Sequence, residues 1–141
     1  MLNSKDMSEN KIAEWETLME QVLAITELPL DQISHEDMMM LRKLSLKMST
    51  LVYSLSVIIW EMKSKYKLKY WDELEVWTGK NKSITLSKEI ATTEAEREFW
   101  EYRKMEEARD WMTWVLKQIE WYSVQWNMYR KEQNSYLDSI K

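Results

Sequence analysis

The sequence predicts an all-α protein, and three observations carry that prediction. One Gly and one Pro among 141 residues fall far below the ordinary usage of about 7% and about 5%, so the chain turns seldom. Leu, Met, Glu and Lys, which lose little rotamer freedom in a helix, are abundant. Apolar residues recur at alternating spacings of three and four over long stretches, the seam by which one helix lies along another. The expected chain is a single helical domain over residues 1–141 with helices at about 7–27, 35–77 and 94–140 and a connecting loop at about 78–93.

Asp6 is the expected cap of the first helix, with Glu9 reaching back from its third position. Ile12, Trp15, Met19 and Val22 follow on one face, and the helix stops near Glu27 because Pro29 pushes Leu28 out of helical geometry. Ser34 with Asp37 makes the next cap. From there Leu41, Leu44, Met48, Leu51, Leu55, Ile58 and Met62 form a seam, and Ser45, Ser49, Ser54 and Ser56 are small enough to let a neighbouring backbone come close. Past Met62 the phase slips to Tyr66, Tyr70, Leu74 and Trp77, and the helix is expected to continue. Thr78, Gly79, Lys80 and Asn81 spell a stop, with Gly79 ending the helix in the left-handed conformation. Residues 82–92 lack a helical period; the alternation Ile84, Thr85, Leu86, Ser87 is open to an extended segment across a helix surface or a short helical turn, and a packed loop is expected. Thr93 with Glu96 is the expected cap of the last helix.

That last helix carries two stripes. Met105, Ala108, Met112, Val115, Ile119, Tyr122, Trp126, Tyr129, Gln133, Tyr136 and Ile140 form a seam, and Trp100, Trp111, Trp114, Trp121 and Met128 fall beside it at 100° per residue. An apolar arc that wide needs at least two neighbours. At about 1.5 Å per residue the two long helices span roughly 64 and 70 Å, whereas a compact globule of this length has a radius of gyration of about 14 Å. The expected architecture is an elongated antiparallel hairpin of the two long helices. The shorter N-terminal helix lies along half of it, enclosing Met112 to Ile140, and the chain assembles into a helical oligomer. The half left uncovered, 56–77 with 94–114, holds Trp60, Trp71, Trp77, Trp100, Trp111 and Trp114, the expected partner interface.

Composition removes several chemistries. Cysteine is absent, so there is no disulfide, thiolate site or cysteine nucleophile. His35, the one histidine, lacks a second ligand at helical spacing and reads as an exposed helix-start residue. The carboxylates Glu94, Glu98, Glu101, Glu106 and Asp110 alternate with Arg97, Arg103 and Arg109 as on a solvated, ion-paired surface. Residues 78–83 contain Gly-Lys, but a phosphate loop needs another Gly where Leu74 stands. No catalytic centre, cofactor or metal is expected. The longest apolar patch, Val57 to Trp60, is far short of the roughly 20 residues of a membrane span. With no signal peptide visible, the expected location is the cytoplasm, that of a host cell if the protein is viral.

Charge is uneven. The net charge is −4 over the chain, yet residues 63–88 hold seven Lys against three acids. Lys63, Lys65, Lys67 and Lys69, interleaved with Tyr66, Tyr70 and Trp71 and followed by Lys80 and Lys82, suit single-stranded nucleic acid: ammonium groups bind phosphates and flat rings stack on bases. The same lysines can serve a helix end and the same rings a helix core.

Lys67, Lys69 and Tyr70, then Trp77-Thr78-Gly79-Lys80, then a long helix from Thr93, give the chain an organisation that resembles phage recombination mediators of the UvsY type. The resemblance spans about residues 60–135. It implies an oligomer that binds single-stranded DNA and helps load a recombinase, with DNA contacts at Lys67, Lys69, Lys80 and Lys82. The expectation is thus a non-catalytic phage-type accessory protein, binding single-stranded DNA, a recombination or replication protein, or both, as a homo-oligomer. The alternative is a helical interaction or inhibitor module that docks through its Trp-rich surface without nucleic acid.

Overall fold

The structure is a computed structural model and describes residues 3–80 and 82–140. These residues form four α-helices and one 3-10 turn, without a strand: α1 Ser4–Thr26, the turn Leu30–Gln32, α2 His35–Gly79, α3 Ile84–Glu94 and α4 Glu96–Ile140. The long helices pack on one another, as expected. No helix among the described residues is long and apolar enough to cross a membrane.

The helix ends follow local chemistry, not always at the expected residue. Asn3 caps α1, its Oδ1 accepting from the Asp6 N–H at 2.8 Å. The helix thus starts three residues before the position assigned from Asp6, an equally good capping type. At Ser34 the expected box is present: the Ser34 N–H donates to Asp37 Oδ2 at 3.0 Å and the Asp37 N–H to Ser34 Oγ at 3.1 Å. α2 runs unbroken past Met62 to Gly79. Gly79 does not take the left-handed conformation expected of it; the helix ends there through glycine's poor helix propensity instead. Asn81, the last residue of the stop signal, lies outside the described residues.

The loop assigned to 78–93 is corrected by α3. Ser83 caps it, its Oγ accepting from the Leu86 N–H at 3.1 Å, and its buried side is Ser87 and Ala91, continued by Ala95. These small residues stand four apart, so α3 does follow a helical period, but one without bulky side chains. Thr93 therefore caps nothing: its hydroxyl donates to the Glu89 carbonyl inside α3 at 3.0 Å. Ala95, at φ −97° and ψ 5°, alone separates α3 from α4.

The chain divides into two compact units, 1–11 with 53–110 and 12–52 with 111–141. In the first, Leu55, Ile58, Ile59 and Met62 of α2 are buried with Ala91, Ala95, Tyr102 and Met105. Where the phase slips, the core turns aromatic: the Tyr66 ring lies 5.5 Å from both Phe99 and Tyr102 and 6.3 Å from Tyr70. The second unit buries Trp15, Val22, Ile25 and Ile33 with Leu41, Leu44, Met48 and Leu51 of α2 and Met112, Val115, Ile119 and Trp126 of α4. Each such side chain contributes about 1.5–3 kcal/mol relative to exposure. His35 is exposed at the head of α2, its ring 5.2 Å from that of Trp126.

Two parts of the expected burial are corrected. The seam of α4 was expected to be enclosed to Ile140, yet every residue from Arg130 to Ile140 is exposed. The helix simply outruns the segments that cover it. Conversely, part of the stretch assigned as uncovered is covered: the first turn of α1 borders Met62, Lys65, Arg97 and Glu98 around a cavity of 180 Å³, and α3 shields more of it.

Candidate interaction surfaces

The six lysines singled out in the sequence do not form one face. At about 100° per residue, Lys63 and Lys67 point to one side of α2 while Lys65 and Lys69 point to the other. Most are also engaged. Lys69 pairs with Glu98 at 2.9 Å, Lys65 reaches Ser4 Oγ at 3.5 Å, and Lys63 lies 5.9 Å from the centre of the Tyr102 ring. The hydrogen bond from Lys69 holds the Glu98 carboxyl below its ordinary value, and the same bond holds the Lys69 ammonium above its own. Lys80 sits 4.3 Å over the Trp77 ring, and Lys82 is exposed. Lys65 and Lys67 are both exposed without an ion pair, and of the run 63–69 Lys67 is the one with no hydrogen bond or ring contact among the described residues.

What surrounds Lys67 is apolar. Tyr53, Val57, Trp60, Leu68 and Trp71 are all exposed, Trp60 to 70% and Trp71 to 62%. With Ser64 they recur at spacings of four, three, four, four and three, and at 100° per residue they lie roughly opposite the buried Leu55, Ile58, Ile59 and Met62. α2 thus carries a second helix-packing seam on its outer face. Lys67 stands on the edge of that seam, seven residues after Trp60 and four before Trp71. Trp60 and Trp71 stand out in the sequence but the seam does not, because the inner stripe accounts for the regular positions; the seam lies in a second heptad phase.

The other expected interface tryptophans divide. Trp100 is exposed beside a hollow of 260 Å³ formed with Tyr66, Thr92, Thr93, Glu96 and Phe99. Trp77 is half-buried, its indole N–H donating to Glu73 Oε2 at 3.2 Å. Trp111 meets the ring of Trp15 edge-on at 6.5 Å, and both Trp111 and Trp114 remain more than half exposed. Their exposure comes from standing on the flank of the buried α4 seam.

In the second unit Ser45 and Ser49, expected to admit a neighbouring backbone, instead line an open groove of 470 Å³ with Leu46, Thr113, Leu116 and Lys117.

No protein family, curated protein or solved structure matches the chain.

Proposed function

We propose that this chain is a non-catalytic helical docking protein, acting as an oligomer, that binds an acidic amphipathic helix through the outer seam of α2. One observation carries the reading: apolar residues at helix-packing spacing on a face the fold leaves exposed, with an unpaired lysine on its edge. Trp60 and Trp71 supply the large, rigid contact area typical of binding hot spots. Lys67 selects a carboxylate at the rim.

A synthetic helical peptide with Leu at its a and d positions and Glu on the flanks, titrated by fluorescence anisotropy, tests the proposal. The expected result is saturable binding that disappears in the double variant Trp60→Ala, Trp71→Ala and weakens several-fold in Lys67→Glu. Equal binding by wild type and the double variant sinks it. A second reading rests on the same trio: a lysine between two exposed indoles also suits single-stranded DNA, as in the phage accessory proteins that the layout resembles. Salt-dependent binding of an oligo(dT) strand, lost in Lys67→Glu and unmatched by the peptide, decides for that reading.

A further inference from the structure

From residue 111 to 128, α4 carries a second outer seam whose interleaved residues differ from those of α2. Trp111, Trp114, Gln118, Trp121, Gln125 and Met128 are spaced three, four, three, four and three apart. All six are exposed, the three indoles and Met128 to between 53% and 56%. This strip runs beside the buried seam of Met112, Val115, Ile119 and Trp126, so α4 is built to face a second helix.

The strip is complementary to itself. Reversed about a point between Ile119 and Glu120, it sets Gln118 against Trp121, Trp114 against Gln125 and Trp111 against Met128, twice over by symmetry. Each layer with an indole that pairs with glutamine joins a large apolar ring and its N–H donor to an amide that can accept it. The next layer outward would oppose Glu107 to Glu132, two carboxylates, and this ends the strip at six residues.

The area suffices. A Trp side chain brings 150–250 Å²; at just over half exposure the three indoles and Met128 offer on the order of 400 Å². Gln118, Gln125 and the flanking stems bring the strip toward the roughly 800 Å² per partner of a standard interface.

We infer that this strip is the site at which two copies of the chain pair, antiparallel and about a two-fold axis near residues 119 and 120. The inference rests on the docking-protein reading for the oligomer alone and is independent of what the α2 seam binds. It names the second copy as occupant because the strip's own reverse sets its indoles and Met128 against glutamine or apolar residues in every layer.

The test uses the absence of native cysteine. In the antiparallel pair, equivalent atoms of residue 118 are offset along the axis by about 4.5 Å, and those of residue 125 by about 16 Å. Gln118→Cys is therefore expected to form a disulfide-linked dimer under mild oxidation, while Gln125→Cys stays monomeric on a non-reducing gel. Light scattering should give about twice 17.3 kDa for wild type and the single mass for Trp114→Lys, Trp121→Lys, with helicity by circular dichroism unchanged. Equal cross-linking at 118 and 125, or a wild-type mass of one chain at tens of micromolar, overturns the inference. So does a dimer that survives Trp114→Lys, Trp121→Lys but is lost in Trp60→Ala, Trp71→Ala. Failure of the acidic peptide to bind leaves this mass unaffected, so the two proposals fail separately.

Discussion

The outer seams of α2 (53–71) and α4 (111–128) have the same spacing and similar exposure, but they are interleaved differently. α4 alternates its indoles with Gln118 and Gln125, so the strip presents matched layers to its own reverse. α2 places Ser64 and Lys67 among its rings. Folded against itself, it would press the Lys67 ammonium onto Val57 of the other copy, an unpaired charge losing water with nothing in return. On the proposed reading, the residues between the apolar ones decide the partner. A glutamine-spaced seam admits its twin, and a lysine-edged one asks for an anion.

The largest expected effect separates both seams from the core. Trp126→Ala should cost about 3–5 kcal/mol in denaturant unfolding, as a buried aromatic does, whereas Trp60→Ala and Trp121→Ala should each stay within about 0.5 kcal/mol. If the exposed variants cost as much as Trp126→Ala, the seams belong to the core and the comparison collapses. Next, Ser83→Ala should remove about 1 kcal/mol by stripping the α3 cap. Hydrogen exchange should show the loss in 84–94 and not in 111–128, which sharpens the separation between the two surfaces.

Lys67→Gln gives the α2 seam the chemistry of the α4 seam at one position. Preference for the acidic peptide over a Lys-flanked one should drop a few-fold, with no change in stability. An unchanged preference would mean that Lys67 does not read the partner. The smallest effect is electrostatic. Glu98 has its carboxyl lowered by the hydrogen bond from Lys69, so its contribution is present above the unfolded carboxylate value and fades as pH falls through the folded one. Lys69 has its ammonium raised, so its contribution is present below the unfolded lysine value and fades as pH rises through the folded one. Glu98→Gln should flatten the acid limb of Tm against pH and leave partner binding untouched, as Lys69 is not on the outer seam.

The helices were legible in the sequence because their cores are bulky: Leu41 to Met62 and Met105 to Trp126 announce themselves at every turn. α3 was not, since its buried face is Ser87, Ala91 and Ala95, and small residues leave no hydropathy signal even when wholly enclosed. The end of the covered region on α4 was illegible for another reason. Tyr136 and Ile140 keep the seam spacing, but spacing reports which face is apolar and not whether a neighbour reaches it. At the candidate surface the sequence supplied the residue types, Trp60, Trp71 and Lys67, while the run of alternating lysines misled. A spacing of two on a helix turns each charge about 200° from the last, and Glu98 and Tyr102 then draw two of them in.

The central claim is that the outer apolar residues are docking faces and not leftover core. Titration of the acidic helical peptide into wild type and into Trp60→Ala, Trp71→Ala measures this most directly. Saturable binding to wild type, with none to the double variant at unchanged thermal stability, is the predicted result; equal binding by both proteins, or a double variant that unfolds, contradicts it.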